Sequence, residues 1–266
     1  MSSSLGNKKN NLEKINSLAN RARKKGADIV IFPELCLTGY NIRDRSYELA
    51  ETIPGPSVKI IEKISKETNT HIIFGMPEVS NKAKATIFNT AVIVSPKGYL
   101  GKYRKMYLPT HSVFEEKRYF RPGYQANVFN TEFGKIGLSI CYDIYFPEIY
   151  RLLRLKGAEI LVCISASPTI RKNYFKILST ARALENTAFL AYVNLVGLDK
   201  NLQFSGGSRF VSPSGDIIAE AKEYEEELII CEFDVNDIKP LEAFIPVWKD
   251  LRPELFHQLI QLSEEF

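Results

Sequence analysis

At 266 residues and 45% hydrophobic content, the chain is long enough to bury a sizeable core, and we expect one domain over residues 1–266. Its 35 basic and 31 acidic residues leave a net charge of +4, which excludes a strongly basic nucleic-acid surface; no apolar run reaches the roughly 18 residues of a membrane span. Cys36, Cys141, Cys163 and Cys231 show no CxxC spacing, and Met1-Ser2-Ser3-Ser4 lacks the charged and apolar regions of a signal peptide, so reduced thiols in a cytoplasmic protein are expected.

Asn11 to Lys25 has the spacing of an amphipathic helix, with Leu12, Ile15, Leu18, Ala19 and Ala22 on one face. The basic run Arg21 to Lys25 complements the dipole at its C-terminal end. Gly26-Ala27-Asp28 turns the chain into a strand, Ile29 to Phe32, that ends at Pro33-Glu34. A helix follows from about Ser57 to Thr68, then strands at His71 to Gly75 and Asn89 to Val94, the second closed by the turn Ser95-Pro96-Lys97-Gly98. Residues 101–130 are aromatic, charged and without clear period. They read as a long loop, a kind of segment that is usually functional in a compact domain.

Ile136 to Ile140 is an apolar, β-prone run that carries Cys141 to its end, and Pro147 then opens a helix with Ile149, Leu152, Leu153 and Leu155 on its apolar face. A lone cysteine is ordinarily core filling. At a strand-to-helix turn, however, a sharp bend can present the thiol, with the following N–H groups free to receive a developing negative charge. Next, Lys156-Gly157-Ala158-Glu159-Ile160 echoes Lys25-Gly26-Ala27-Asp28-Ile29, each preceding a buried strand. A repeated βα unit would bring both strand ends to one rim, where open α/β sheets place their sites. Asn173 to Asn186 reads as a helix, Phe189 to Val193 as a strand, Arg209 to Val211 and Ile217 to Glu220 as a hairpin, and Leu228 to Phe233 as a strand. The tail, about 240–266, carries Trp248 and is too apolar to be free, so it is expected to pack on this subunit or on a dimer partner.

Glu34, Lys105 and Cys141 each stand at or near the end of an extended segment. A thiol attacks a carbonyl as thiolate and needs a base, and the three histidines form no Cys/His signature. A carboxylate in an apolar pocket can serve instead, with a lysine beside it for the oxyanion. In Phe32-Pro33-Glu34-Leu35-Cys36-Leu37-Thr38-Gly39-Tyr40, Tyr103-Arg104-Lys105-Met106-Tyr107-Leu108-Pro109 and Cys141-Tyr142-Asp143-Ile144-Tyr145-Phe146-Pro147-Glu148, the chain resembles the nitrilase or carbon–nitrogen hydrolase superfamily over nearly its whole length.

The resemblance implies an α/β fold, a four-layer α-β-β-α sandwich, acting on a small-molecule amide without cofactor or metal. It also implies a homodimer or higher homo-oligomer joined through the helix layer beside the active site. Carried over by residue, Glu34 is the general base, Lys105 the oxyanion stabiliser, Cys141 the nucleophile, and Glu116 rather than Glu115 the second glutamate. Tyr40, Tyr142, Ser167, Arg171 and Lys172 are the implied substrate contacts. The loop after Lys105 is similar to the glutaminase domain of glutamine-dependent NAD synthetases, whereas Cys141-Tyr142-Asp143 is similar to stand-alone amidases acting on ω-amides of dicarboxylic acids. Expected, then, is a thiol hydrolase that releases ammonia from a small linear amide through a thioester. The alternatives are a glutaminase-type ammonia supplier, an N-carbamoyl hydrolase, an acyltransferase and a non-catalytic binding member. Family members begin with a buried strand ending in Gln-Met, and Met1 stands where that methionine would lie, so a sandwich lacking the first family strand is also expected.

Overall fold

The computed structural model describes residues 1–265. Helix α1 (Lys8–Lys24) starts at Asn7, whose side chain accepts from the Asn10 N–H, and ends in Arg21, Arg23 and Lys24, as its dipole favours. Strand β1 (Ile29–Ile31) follows, then the short α2 (Ser46–Leu49) and α3 (Pro56–Thr68). With β2 (His71–Val79), β3 (Ile87–Ser95) and β4 (Gly98–Arg104), β1 forms a four-stranded sheet in the order β1-β2-β3-β4. The β1–β2 pair is parallel and the others antiparallel. After the one-turn α4 (Glu116–Tyr119) come β5 (Val128–Thr131), β6 (Gly134–Ile140), α5 (Pro147–Leu155), β7 (Ile160–Ser165), α6 (Lys172–Asn186) and β8 (Phe189–Asn194). A hairpin of β9 (Val196–Asp199) and β10 (Leu202–Ser205) precedes β11 (Arg209–Val211) and β12 (Ile217–Glu220). The second sheet runs β12-β11-β8-β7-β6-β5, with β6, β7 and β8 parallel and α5 and α6 as their crossovers. The chain ends in α7 (Ile238–Phe244) and α8 (Pro253–Ser263).

Period-two side-chain alternation builds the layers. Ile72, Phe74, Val92 and Val94 pack with Ile15, Ala19, Val58 and Ile61 of α1 and α3. Their alternates Ile73, Ala91 and Ile93 face the other way, onto Ile136, Leu138 and Ile140 of β6. Ile149 and Leu153 of α5 and Phe175 and Ala183 of α6 join that core, and the result is the expected α-β-β-α sandwich.

Two expectations need correction. The irregular segment is shorter than 101–130, because β4 runs to Arg104 against β3 and β5 begins at Val128 against β6. Aromatic and charged residues hid an alternation that only the neighbouring strands reveal. Leu228 to Phe233 keeps some period-two burial, with Cys231 and Phe233 half-buried and Ile230 and Glu232 exposed, yet it forms no strand. It has no ladder partner among the described residues, where β1 pairs on one side only, with β2. In the tail, Trp248 lies under the guanidinium groups of Arg151 and Arg154 of α5 (4.8 and 5.2 Å), and Arg154 pairs with Glu242. Helix α8, by contrast, buries no residue.

Candidate active site

β1 ends at Ile31, but its parallel pairing continues: Phe32 N–H donates to Ile73 O (2.7 Å) and Gly75 N–H to Pro33 O (3.2 Å). The chain then turns at Leu35, with φ of 48°. It lies so close to β2 that a Cβ on Gly75 would sit 2.4 Å from the Leu35 nitrogen and 2.8 Å from the Glu34 Cα. Glu34 is thereby pushed between the sheets, fully buried. Its Oε1 accepts from Lys105 Nζ (2.7 Å) and Asn89 Nδ2 (2.7 Å), and its Oε2 from the Ala166 N–H at the end of β7 (2.7 Å).

Lys105 follows β4, tied at its own backbone by Lys105 N–H to Asn89 O (2.9 Å) and Gly123 N–H to Lys105 O (2.8 Å). The ammonium is fully buried and also donates to Glu116 Oε1 (2.8 Å). Burial works against its charge, but Glu116 and Glu34 outweigh it and hold the lysine well above its usual value. Glu116 opens α4, buried where Glu115 is exposed, and Tyr40 donates its hydroxyl to the same Oε1 (2.6 Å). Burial and Glu34 raise this carboxyl to about 7 against the pull of Lys105.

Cys141 stands at the end of β6 with φ of 47°, a left-handed conformation that a residue with a Cβ holds only when its surroundings impose it. Its thiol is pushed well above the usual cysteine range by burial and by Glu34, with Lys105 opposing. Around it, Pro109, Phe114, Tyr142, Tyr145, Ser167, Pro168, Arg171 and Phe175 line a small cavity. Three polar atoms of this lining, the Tyr145 hydroxyl, Ser167 Oγ and Arg171 Nε, have no hydrogen-bond partner in the protein. The arrangement joins a buried thiol, a buried glutamate–lysine ion pair whose charges act on it, and a cavity lining with unpaired polar atoms.

Residues 1–243 match the carbon-nitrogen hydrolase family. The chain belongs to the carbon–nitrogen hydrolase family. A nitrilase of Pyrococcus abyssi is 34% identical over 92% of each chain. A 2-oxoglutaramate amidase of Bacillus subtilis is 32% identical over 87% of this chain and 88% of its own. A glutamine-dependent NAD(+) synthetase of Aquifex aeolicus is 32% identical over 92% of this chain but only 43% of its own length. Among solved structures, a carbon–nitrogen hydrolase from Helicobacter pylori superposes with a TM-score of 0.91 at 26% identity, covering 98% of this chain and 96% of that one. The protein is thus an enzyme acting on carbon–nitrogen bonds other than peptide bonds.

In this hydrolase, Glu34, Lys105 and Glu116 form one buried hydrogen-bonded chain, and Cys141 lies within reach of their charges. Of the expected substrate contacts, Tyr142, Ser167 and Arg171 line the cavity beside Cys141. Tyr40 does not line it; its hydroxyl is committed to Glu116. Lys172 is not there either, because its ammonium is drawn outward to Glu223 (2.7 Å) at the start of α6. Sequence reasoning missed Asn89, which bonds Glu34, and Asn194, whose Oδ1 accepts from the Ser167 N–H (2.8 Å) and whose Nδ2 donates to Ser167 O (3.2 Å). Each is a lone amide ending or interrupting an apolar strand run, which is the only signal the sequence carries for them.

Proposed function

We propose that the enzyme hydrolyses a small linear amide through a Cys141 thioester, with Glu34 as base and Lys105 as oxyanion stabiliser. The observation that carries this reading is a thiol held at a strained strand end beside a buried glutamate–lysine pair. Because the thiol sits above its ordinary range, it is not a standing thiolate, and its proton must be taken during attack. Glu34 accepts that proton as sulfur bonds to the amide carbon, and Lys105 faces the tetrahedral oxyanion with a charge that its carboxylate neighbours keep in place. Glu34 returns the proton to the departing nitrogen, which leaves as ammonia. It then accepts a proton from the water that attacks the thioester and passes it to the departing sulfur, which regenerates the thiol and the carboxylate.

For substrate, we read the cavity as favouring ω-amides of dicarboxylic acids. Arg171 and Ser167 bring unpaired polar atoms to the cavity that holds Cys141, suited to a substrate carboxylate, while the uncharged Tyr142 offers no partner for an α-ammonium group. The name of the Bacillus subtilis relative supports the same class. Steady-state kinetics on glutamine and on a dicarboxylate monoamide of matched length test this. We expect at least tenfold higher kcat/KM for the monoamide, because an unpaired charge in a buried site costs about 1–3 kcal/mol. Preference for glutamine would replace this reading with the glutaminase one.

We further place the enzyme in the cytoplasm, which suits four free cysteines. No helix among the described residues is long and apolar enough to cross a membrane. A second copy covering α5 and α6, where Leu152, Leu155, Tyr174, Ile177 and Leu184 are exposed, accounts for an apolar helix layer otherwise left to water. Sedimentation equilibrium of the parent against Ile177→Glu would show a dimer and its loss; a monomeric parent would exclude it.

A further inference from the structure

Asp143 is fully buried two residues after Cys141 and does not face the cavity. Its Oδ2 accepts from the Ile140 N–H (2.9 Å) and the Tyr103 hydroxyl (2.8 Å), and its Oδ1 from the Tyr107 N–H (3.0 Å). Ile140 immediately precedes Cys141, while Tyr103 and Tyr107 stand two residues to either side of Lys105. One carboxylate therefore joins the turn of the thiol to both flanks of the lysine. Outside it, the Tyr107 and Phe146 rings stack with centroids 3.5 Å apart, closing the same two segments over the clamp.

We propose that Asp143 is a positioning residue that locks the left-handed Cys141 turn to the Lys105 segment, fixing the sulfur relative to the ammonium. The inference rests on the reading of Cys141 as nucleophile and Lys105 as oxyanion stabiliser. Three donors from two segments converge on one group, and only an acceptor-only side chain can serve all three; an amide would turn its NH2 against one of them. Burial pushes the carboxyl up to about 6, with Lys105 and the donors opposing, which leaves it ionised at neutral pH. Ser139, earlier on the same strand, shows what a purely structural brace looks like. It bonds the Tyr150 hydroxyl of α5 (2.7 Å) and Val162 O of β7 (3.1 Å), and nothing in the lysine segment.

The test is kinetic, with ammonia release from a small amide measured for Asp143→Asn, Tyr103→Phe, the double variant, Ser139→Ala and Cys141→Ala, alongside each thermal midpoint. We expect kcat to fall at least tenfold in Asp143→Asn and about threefold in Tyr103→Phe, with KM within twofold of the parent, because the defect is in alignment and not in binding. The double variant should be no slower than Asp143→Asn, since the Tyr103 bond is already lost. Ser139→Ala should lower the midpoint without changing kcat. If Asp143→Asn does not fold, Tyr103→Phe decides alone. The proposal is overturned if the folded variants keep kcat within twofold of the parent, or if the two losses multiply. An active Cys141→Ala would instead overturn the nucleophile reading and the clamp together.

Discussion

The two helix–glycine–strand units of this protein share one backbone design and end in different chemistry. In the first, Gly26 (φ 88°) ends α1 with Ala27 N–H on Ala22 O (3.1 Å), and Asp28 O accepts from His71 N–H (2.8 Å) as β1 begins beside β2. In the second, Gly157 (φ 90°) ends α5 with Ala158 N–H on Leu153 O (3.0 Å), and Glu159 O accepts from Phe189 N–H (3.0 Å) as β7 begins beside β8. Both are the same left-handed helix stop feeding a parallel pair. At their far ends the units differ and meet: Glu34 follows the first strand, and the Ala166 N–H following the second donates to its carboxylate. One unit supplies a charged group and the other supplies the backbone that aims it. The repeat is thus a frame that brings two strand ends to one point, while the chemistry depends on which side chain occupies each end.

Removing the charge where the two strand ends meet should have the largest effect. Glu34→Gln takes the proposed base away and leaves the buried Lys105 with Glu116 alone. We expect kcat to fall on the order of 1000-fold, and stability to fall by about 3 kcal/mol. Ammonia-release kinetics and chemical denaturation measure the two effects separately.

The second glutamate should make stability depend on pH. The folded-state pKa of Glu116 is raised from 4.5 to about 7, so its contribution to stability is fully present below the unfolded value and lost as pH rises through about 7. Glu116→Gln lacks this titration. Relative to that variant, the parent should lose up to about 3 kcal/mol of stability between pH 4.5 and pH 8. Denaturation midpoints across that range check it, and a constant difference would refute the assigned shift.

The smallest effect tests the frame itself. A Cβ on Gly26 meets nothing within 4 Å, and one on Gly157 meets only the flexible end of Lys135, so in both the left-handed backbone alone decides. Gly26→Ala and Gly157→Ala should each lose about 1 kcal/mol, within a few tenths of one another, and leave kcat unchanged.

The frame was legible because it is local. Alternating apolar runs, a glycine after each amphipathic helix and a polar residue at each strand end fix where Glu34 and Cys141 stand, and the family motifs add Lys105. What stayed hidden depends on partners distant in sequence. β4 is a strand because β3 lies beside it, and Leu228 to Phe233 is not one because no strand among the described residues pairs with it. The β9–β10 hairpin, Val196–Asp199 with Leu202–Ser205, has too short a pattern to stand out. Lys172 follows Arg171 directly, yet Glu223, 51 residues later, draws it away from the cavity. Asn89 and Asp143 give no local sign of the groups they hold, because those groups arrive from other strands.

In the proposed reaction the sulfur of Cys141 carries the acyl group. Rapid acid quench during turnover of a small amide, followed by peptide mass measurement, tests it directly. A mass gain equal to the substrate less ammonia is expected on the peptide containing Cys141 alone, with neither adduct nor turnover in Cys141→Ala. An acyl group on Cys36, Cys163 or Cys231, or ammonia release that persists in Cys141→Ala, would contradict it.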